Sequence, residues 1–158
     1  VFMYALLYGA GEVKLGSVIG SGAGVGRALK RKLLTSIPAL SELIDSVSQS
    51  GPTLGGLDGR RISVRSEHAA LNTLLQGAGA VVMKQALVMA VDRLDTLGYP
   101  YQLVAQVHDE YQVEVPTEYA ERVGIVFRNA IRKAGEFFNM RCPLDGDYMV
   151  GETWADTH

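Results

Sequence analysis

The chain has 158 residues, of which 47% are hydrophobic and 20% are charged, so its composition is that of a globular protein and excludes disorder along its whole length. The formal net charge of −2 argues against a general coat of positive charge for nucleic acid, although a local face can still bind it. Continuous apolar runs such as residues 78–83 stay far below the roughly 20 residues that span a bilayer, and no charged-then-apolar leader opens the sequence. We therefore predict a soluble, cytoplasmic protein with no membrane partner. The single cysteine, Cys142, is expected to be a buried apolar filler.

The first half of the sequence predicts helices separated by glycine-rich turns. Residues 1–8 are apolar and aromatic, and Gly9 follows them, as is typical of a helix that glycine ends. Helical periodicity recurs in residues 13–19, 25–34 and 39–47. The glycine-rich residues 20–26 lack the pattern of a phosphate-binding loop and are interpreted as a flexible turn.

The second half predicts one long helix, a small antiparallel sheet and a final amphipathic helix. The long helix covers about residues 67–97, and the final helix covers about residues 116–138. Residues 48–56 are predicted to form a loop. Alternating apolar residues predict short strands at 62–64, 103–107, 111–115 and 144–150. Helices packed on a small antiparallel sheet give the α+β class.

Two acidic residues lie at the tip of the predicted hairpin. Asp109 and Glu110 follow His108 between two strands, and carboxylate oxygens on a rigid support are ligands that Mg²⁺ prefers. A two-metal site for phosphoryl or nucleotidyl transfer needs a further carboxylate from another strand. The turn-like candidates for that carboxylate are Asp58, Asp145 and Asp147. The alternative interpretation is a solvated acidic turn.

Polar residues recur at four-residue spacing along the start of the long helix. His68, Asn72 and Gln76 share one face, and their donors could meet the minor-groove acceptors that every base pair presents. Small neighbours, among them Ala70 and Gly77, would let a duplex come close. The alternative is a polar stripe that faces solvent.

Two tyrosines lie one helical turn apart in the first segment. Tyr4 and Tyr8 could line a site with stacking faces and hydroxyls, although aromatic pairs at this spacing also occur in hydrophobic cores.

Four segments, in order, resemble the polymerase I family of DNA polymerases, and the likeness is greatest to replicative polymerases of short-tailed bacteriophages. The four segments are YALLYG from Tyr4, LDGR with HAALNTLLQ from Leu57 and His68, VHDE from Val107, and GETWADTH from Gly151. Tyr4 and His68 are the residue types typical of the phage enzymes at those positions. The resemblance covers nearly the whole chain.

The resemblance implies which candidate residues would bind the metal and which would contact the incoming nucleotide. Asp109 would ligate Mg²⁺, Glu110 would support that site, and His108 would lie near the primer terminus. Tyr4 would lie beside the sugar of the incoming dNTP, and Tyr8 beside the template base or the nascent pair.

The resemblance also implies where DNA lies and how the chain divides. Asn72 and Gln76, with His68, would contact the minor groove of the primer-template duplex, and Arg60 its backbone or the primer end. Residues 1–50 would be part of the fingers subdomain, and residues 51–158 the C-terminal part of the palm.

Some parts of the family pattern are missing from this sequence. The first catalytic motif and the Arg and Lys that hold the triphosphate do not occur, and Val1 opens the chain inside an apolar segment with no cap. We therefore expect a missing N-terminal portion as a partner, an isolated fragment that is inactive, and self-association through unpaired sheet edges. One alternative is a non-catalytic duplex-DNA-binding module. A second is a metal-dependent hydrolase centred on His108 and Asp109.

Overall fold

The structure is a computed structural model that describes residues 1–157. His158, the last residue of the family-like final segment, lies outside the described residues, as does the side chain of Glu67. Over this range the helices are α1 (Phe2–Leu7), α2 (Glu12–Val18), α3 (Ala23–Ser36), α4 (Pro38–Gln49), α5 (Ala70–Leu97) and α6 (Ala120–Phe137). The strands are β1 (Thr53–Gly55), β2 (Arg61–Ser63), β3 (Gln102–Val107) and β4 (Glu110–Glu114). Short 3-10 turns cover Glu67–Ala69, Thr117–Tyr119 and Trp154–Asp156.

The chain divides into two compact units, Val1–Ala78 and Gly79–His158. Strands β1 and β2 form one antiparallel pair, and β3 and β4 form another. The chain is 60% helical, so the predicted α+β class is confirmed. The single small sheet that we expected is in fact two separate two-stranded sheets. Strand β1 lies in the segment that was predicted to be a loop, because its three residues pair with β2 across a long turn that local propensity does not reveal.

The core of the first unit joins α4, β1 and the start of α5. Val47, Leu54, Ala70 and Leu71 are buried together. The half-buried Leu7 of α1, with Ile44, Val64 and Leu74, packs against this cluster. The end of α1 and the start of α5 are therefore anchored to one apolar cluster.

Close backbone packing explains one glycine in α2 and one in α3. A Cβ added at Gly16 would lie 2.3 Å from the carbonyl oxygen of Gly22, and one added at Gly26 would lie 2.3 Å from that of Glu12. Both distances are far inside van der Waals contact, so only glycine allows the two helices to approach this closely. Part of the glycine-rich segment is thus required for helix packing, and Ala23–Ser36 is already helical.

The core of the second unit is built from α5, α6 and β4. Ala86, Ala90 and Leu94 of α5 are fully buried, as is Ala134 of α6. The α5 helix is also long and apolar enough to cross a membrane by length and composition, a property shared by the core helices of soluble proteins. Continuous apolar runs alone did not reveal the apolar character of α5, because polar residues interrupt those runs along the helix.

Residues 144–150 were predicted to be a strand, and this prediction is wrong. They contain no helix or strand and lie along α6 instead. A Cβ added at Gly135 would lie 2.9 Å from Leu144 Cγ, and one at Gly124 would lie 2.3 Å from Tyr148 Cδ2. Leu144 and Tyr148 therefore pack over glycines of α6, whereas Met149 and Val150 are exposed, so this segment contacts a helix and not a strand. Cys142, expected to be buried, is exposed, because it lies in the irregular segment that follows α6.

Candidate functional site

In the first unit, the end of α1 meets the first turns of α5 through side chains that were both predicted to be functional. Gln76 Nε2 donates a hydrogen bond of 2.9 Å to Tyr8 Oη. Below this contact, Gly9 has a φ of +77°, and a Cβ there would lie 2.2 Å from the carbonyl oxygen of His68. Glycine is thus required at this position, both for its backbone conformation and for the close approach of the two segments. The structure therefore brings Tyr8 and Gln76 into contact and places the backbone of His68 against Gly9.

The two tyrosines of α1 are not core residues of this unit. Tyr4 is 70% exposed and Tyr8 is 58% exposed. A tyrosine that packs in a core would lose most of its accessible surface, so the core interpretation is wrong for this chain. More than half of the surface of each residue is open to solvent, as a ligand platform needs.

The three polar residues at four-residue spacing differ in exposure, and the first of them lies in the 3-10 turn before α5. His68 and Gln76 are exposed, whereas Asn72 is half-buried. Two of the small neighbours expected to admit a duplex point elsewhere: Ala70 is buried in the core, and a Cβ at Gly77 would lie 2.9 Å from Ile62 Cδ1. These two residues therefore serve packing within the unit.

Arg60 lies in a turn that its own neighbour organises. Its guanidinium contacts Asp58 at 2.6 Å, and this hydrogen-bonded pairing lowers the pKa of Asp58. Gly59, with a φ of +83°, completes the turn, and the backbone amide of Gly56 donates to the carbonyl of Arg60. Because Asp58 holds Arg60, we consider it poorly placed to serve as the further metal-binding carboxylate.

In the second unit, the β3–β4 hairpin presents the two turn residues to solvent. Val107 pairs with Glu110, so His108 and Asp109 form a two-residue turn, and His108 has a φ of +52°. Both turn side chains are exposed, while Glu110 begins β4 and is half-buried. This is the tight connection expected between twisted antiparallel strands, and it fixes the position of Asp109 at the tip.

A polar chain of contacts runs from the hairpin to the end of the described chain, and the sequence did not indicate it. Gln112 Nε2 donates to Glu110 Oε1, and Gln112 Oε1 accepts from Thr157 Oγ1 at 3.4 Å. The side chain of Thr153 and the carboxylate of Asp156 form a capping box on the last 3-10 turn. The final segment therefore supports the strand that carries Glu110.

Of the two remaining carboxylates that were considered as metal ligands, one is paired with arginines and the other is exposed to solvent. Asp145 accepts hydrogen bonds from Arg132 and Arg128, which hold its pKa far below its ordinary value. Asp147 is exposed. Among the residues that the structure describes, no three His, Cys, Asp or Glu side chains group as a metal site. Asp109 and Glu110 are adjacent carboxylates on a single hairpin.

One cavity of the second unit is lined by residues outside the hairpin. It has a volume of about 750 Å³, and α5 and α6 contribute most of its lining. Arg93, Arg122 and Lys133 give it a basic rim, and none of the predicted site residues is among those that line it.

Comparison with known proteins identifies the family. The family model described as DNA polymerase family A matches residues 1–156. The DNA-directed DNA polymerases of phages T3 and T7 are each 37% identical to this chain over 99% of its length, and the alignment spans 26% of each enzyme. DNA polymerase I of Aquifex aeolicus is 28% identical over 96% of the chain and 28% of the enzyme. The chain therefore spans about a quarter of the length of the curated relatives it matches.

A solved structure supports the fold. The polymerase domain of Pol1 from M. smegmatis, in complex with DNA primer-template and dNTP, superposes with a TM-score of 0.75. It is 20% identical and covers 84% of this chain, while this chain covers 26% of that domain. The chain belongs to DNA polymerase family A.

Proposed function

We propose that this chain is the fingers-palm part of a DNA-directed DNA polymerase that replicates DNA by template-directed nucleotidyl transfer. Residues 1–50 contribute to the fingers, and residues 51–158 form the C-terminal part of the palm. The observation that carries the proposal is the β3–β4 hairpin, because it presents His108 and Asp109 at a fixed two-residue tip in a chain that matches the family over residues 1–156.

In this proposal, Asp109 is the residue that would hold Mg²⁺, and Glu110 supports it from the start of β4. Family A polymerases generally use divalent metal ions. When bound, the metal supplies positive charge that favours attack of the primer 3′-hydroxyl on the dNTP α-phosphate and loss of pyrophosphate. Gln112 keeps Glu110 in place by a hydrogen bond, and Thr157 in turn contacts Gln112. Such supporting contacts orient ligands that would otherwise sample several rotamers.

Nucleotide and duplex contacts are assigned to the first unit. Tyr4 and Tyr8 offer exposed rings for the incoming sugar and the nascent pair, and His68, Asn72 and Gln76 offer donors for the minor groove. Arg60 offers a guanidinium for the backbone or the primer end, since a guanidinium paired with one carboxylate keeps other donors free. The DNA and dNTP of the M. smegmatis complex support these partners by likeness.

The rest of the parent enzyme is proposed as a further partner. Strand β3 leaves Leu103, Val104 and Val107 exposed, with Val104 at 56%. An apolar strand surface of this kind favours pairing or packing with another segment. A preceding portion of the polymerase would cover it and bring the second carboxylate, and self-association is the expected behaviour of the chain when that portion is missing. Phage and bacterial relatives support the cytoplasm of a bacterial host as the location.

The alternative of a non-catalytic duplex-binding module rests on one observation: His68, in the 3-10 turn before α5, and Gln76 of α5 are both exposed. The proposed hydrolase centred on His108 gains no third ligand among residues 1–157. Primer extension separates the proposals. The 158-residue chain, the preceding portion of the parent and their mixture are incubated with a primed template, four dNTPs and Mg²⁺.

We expect extension by the mixture and none by either piece, because the carboxylates of two strands are needed together. Extension by the chain alone would overturn the proposed division of the metal site. Duplex binding without extension, in the mixture and in the intact parent, would favour the binding module.

A further inference from the structure

The Tyr8–Gln76 hydrogen bond joins two side chains that come from distant parts of the sequence. Gln76 Nε2 lies 2.9 Å from Tyr8 Oη, although 68 residues separate them. The backbones that carry them are held, because Gly9 lies against the His68 carbonyl and Leu7 packs on the cluster that contains Ala70 and Leu71. The contact is therefore built into the first unit and does not depend on two mobile surface residues meeting.

The chemistry of the carboxamide leaves Gln76 free to bind elsewhere. A glutamine side chain has two N–H donors and one carbonyl acceptor, so the bond to Tyr8 uses one donor and leaves the other. Gln is rich in rotamers, and ordering it before a ligand arrives removes part of the entropy cost of binding. Both partners remain exposed, so a ligand can reach them.

We propose that the Tyr8 hydroxyl is a positioning group for Gln76. Tyr8, beside the nascent base pair, then holds the Gln76 carboxamide in the orientation in which it contacts the primer terminus. This inference rests on the proposed function, which assigns Tyr8 to the nascent pair and Gln76 to the minor groove. A terminal mispair that displaces Gln76 then also disturbs Tyr8 and slows the next addition. Because coupling between two sites is reciprocal, a change at Tyr8 also alters how Gln76 senses the terminus.

The test is a double-mutant cycle in the full-length parent polymerase. Single-nucleotide incorporation is measured from matched and mispaired primer termini for the wild type, Tyr8→Phe, Gln76→Ala and the double variant. Tyr8→Phe keeps the ring and removes only the hydroxyl. We expect each single variant to lower the matched-to-mispaired ratio about fivefold, the effect of one hydrogen bond, and the double variant to be no worse than the larger single effect.

A second measurement separates positioning from general damage. The primer-terminal adenine is replaced by 3-deazaadenine, which lacks the minor-groove N3 acceptor. Wild type should lose efficiency with this primer, and Tyr8→Phe should lose less, because its Gln76 is no longer held toward the groove. Tyr4→Phe is the matched control, because it removes another tyrosine hydroxyl from the same segment. Its effect on the matched-to-mispaired ratio should multiply with that of Gln76→Ala.

The outcomes distinguish this inference from the function on which it rests. If the wild-type parent extends primers while the Tyr8→Phe and Gln76→Ala effects multiply, the inference is overturned and the proposed function stands. An unchanged 3-deazaadenine penalty in Tyr8→Phe also overturns it. If the intact wild-type parent shows no template-directed extension at all, both proposals fail.

Discussion

Tyr111 donates a hydrogen bond from its hydroxyl to the backbone carbonyl of Met83 and so ties strand β4 to helix α5. Its ring packs against Phe127 of α6, with the ring centroids 5.2 Å apart. One side chain therefore connects the strand next to the Asp109 turn with both long helices of the second unit. We regard Tyr111 as the anchor of the hairpin.

The first prediction concerns this anchor. Tyr111→Phe keeps the ring contact and removes the hydroxyl, so local opening of the β3–β4 pair should become easier by about 1 kcal/mol, which is about fivefold less protection of its amides. Amide hydrogen exchange across β3 and β4 measures this. Tyr101→Phe is a control in which the lost hydrogen bond, to Asp95, lies on the surface. Equal effects of the two variants would contradict the anchoring role.

The second prediction concerns alkaline pH. Burial raises the pKa of Tyr111 to about 12, above its ordinary value of 10. A group with a raised folded-state pKa stabilises the fold below its unfolded pKa, and this contribution is lost as pH rises through the folded pKa. The hairpin should therefore weaken between about pH 10 and pH 12, and absorbance titration should lose its highest tyrosine transition in Tyr111→Phe. An unchanged titration would show that another tyrosine is the buried one.

The third prediction concerns the attachment of residues 144–150 to α6. Asp145 accepts hydrogen bonds from Arg132 and Arg128, and its pKa is lowered by Arg132 first and Arg128 next. A lowered folded-state pKa stabilises the fold above the unfolded pKa, so the contribution is lost as pH falls below about 4. Asp145→Asn should make this segment more sensitive to proteases at pH 7, whereas Asp147→Asn should have a smaller effect. Equal cleavage of the two variants and the wild type would show that Asp145 does not hold this segment on α6.

The fourth prediction concerns Tyr4. In the proposed function Tyr4 lies beside the incoming sugar, where its exposed hydroxyl could take the place of a missing 3′-hydroxyl. Tyr4→Phe in the parent should raise discrimination against ddNTP, measured by competition with the matching dNTP. If the competition does not change, Tyr4 does not lie at the sugar.

Local patterns predicted most of the elements. Apolar residues at helical spacing predicted the long helix, which the structure shows as α5 and the 3-10 turn before it. Alternating apolar residues predicted the hairpin around Asp109. The apolar residues of α5 lie around the whole helix and not on one face, so the length of the apolar segment carried the prediction of that helix. The alternating pattern gave a wrong prediction at residues 144–150, where Leu144 and Tyr148 pack over glycines of α6 and no strand forms.

Contacts between side chains that are distant in the chain could not be predicted from the sequence. Nothing near Tyr8 or Gln76 in the chain indicates that they meet, since the contact depends on the close approach of Gly9 to the His68 carbonyl. The arginines that hold Asp145 lie on a helix with many other charges, and no local rule selects them. The roles of the site residues were assigned by resemblance, and they remain predictions for mutagenesis.

The most direct measurement of the central claim is primer extension by the full-length parent carrying Asp109→Ala. We predict that nucleotide incorporation in Mg²⁺ is abolished, because the loss concerns charge held at the transition state. Binding of primer-template, measured by fluorescence anisotropy, should stay within a few-fold of wild type. Asp45→Ala, an exposed aspartate of α4, is the control. Extension by Asp109→Ala at a rate within a few-fold of wild type would contradict the assignment of the hairpin as part of the catalytic metal site.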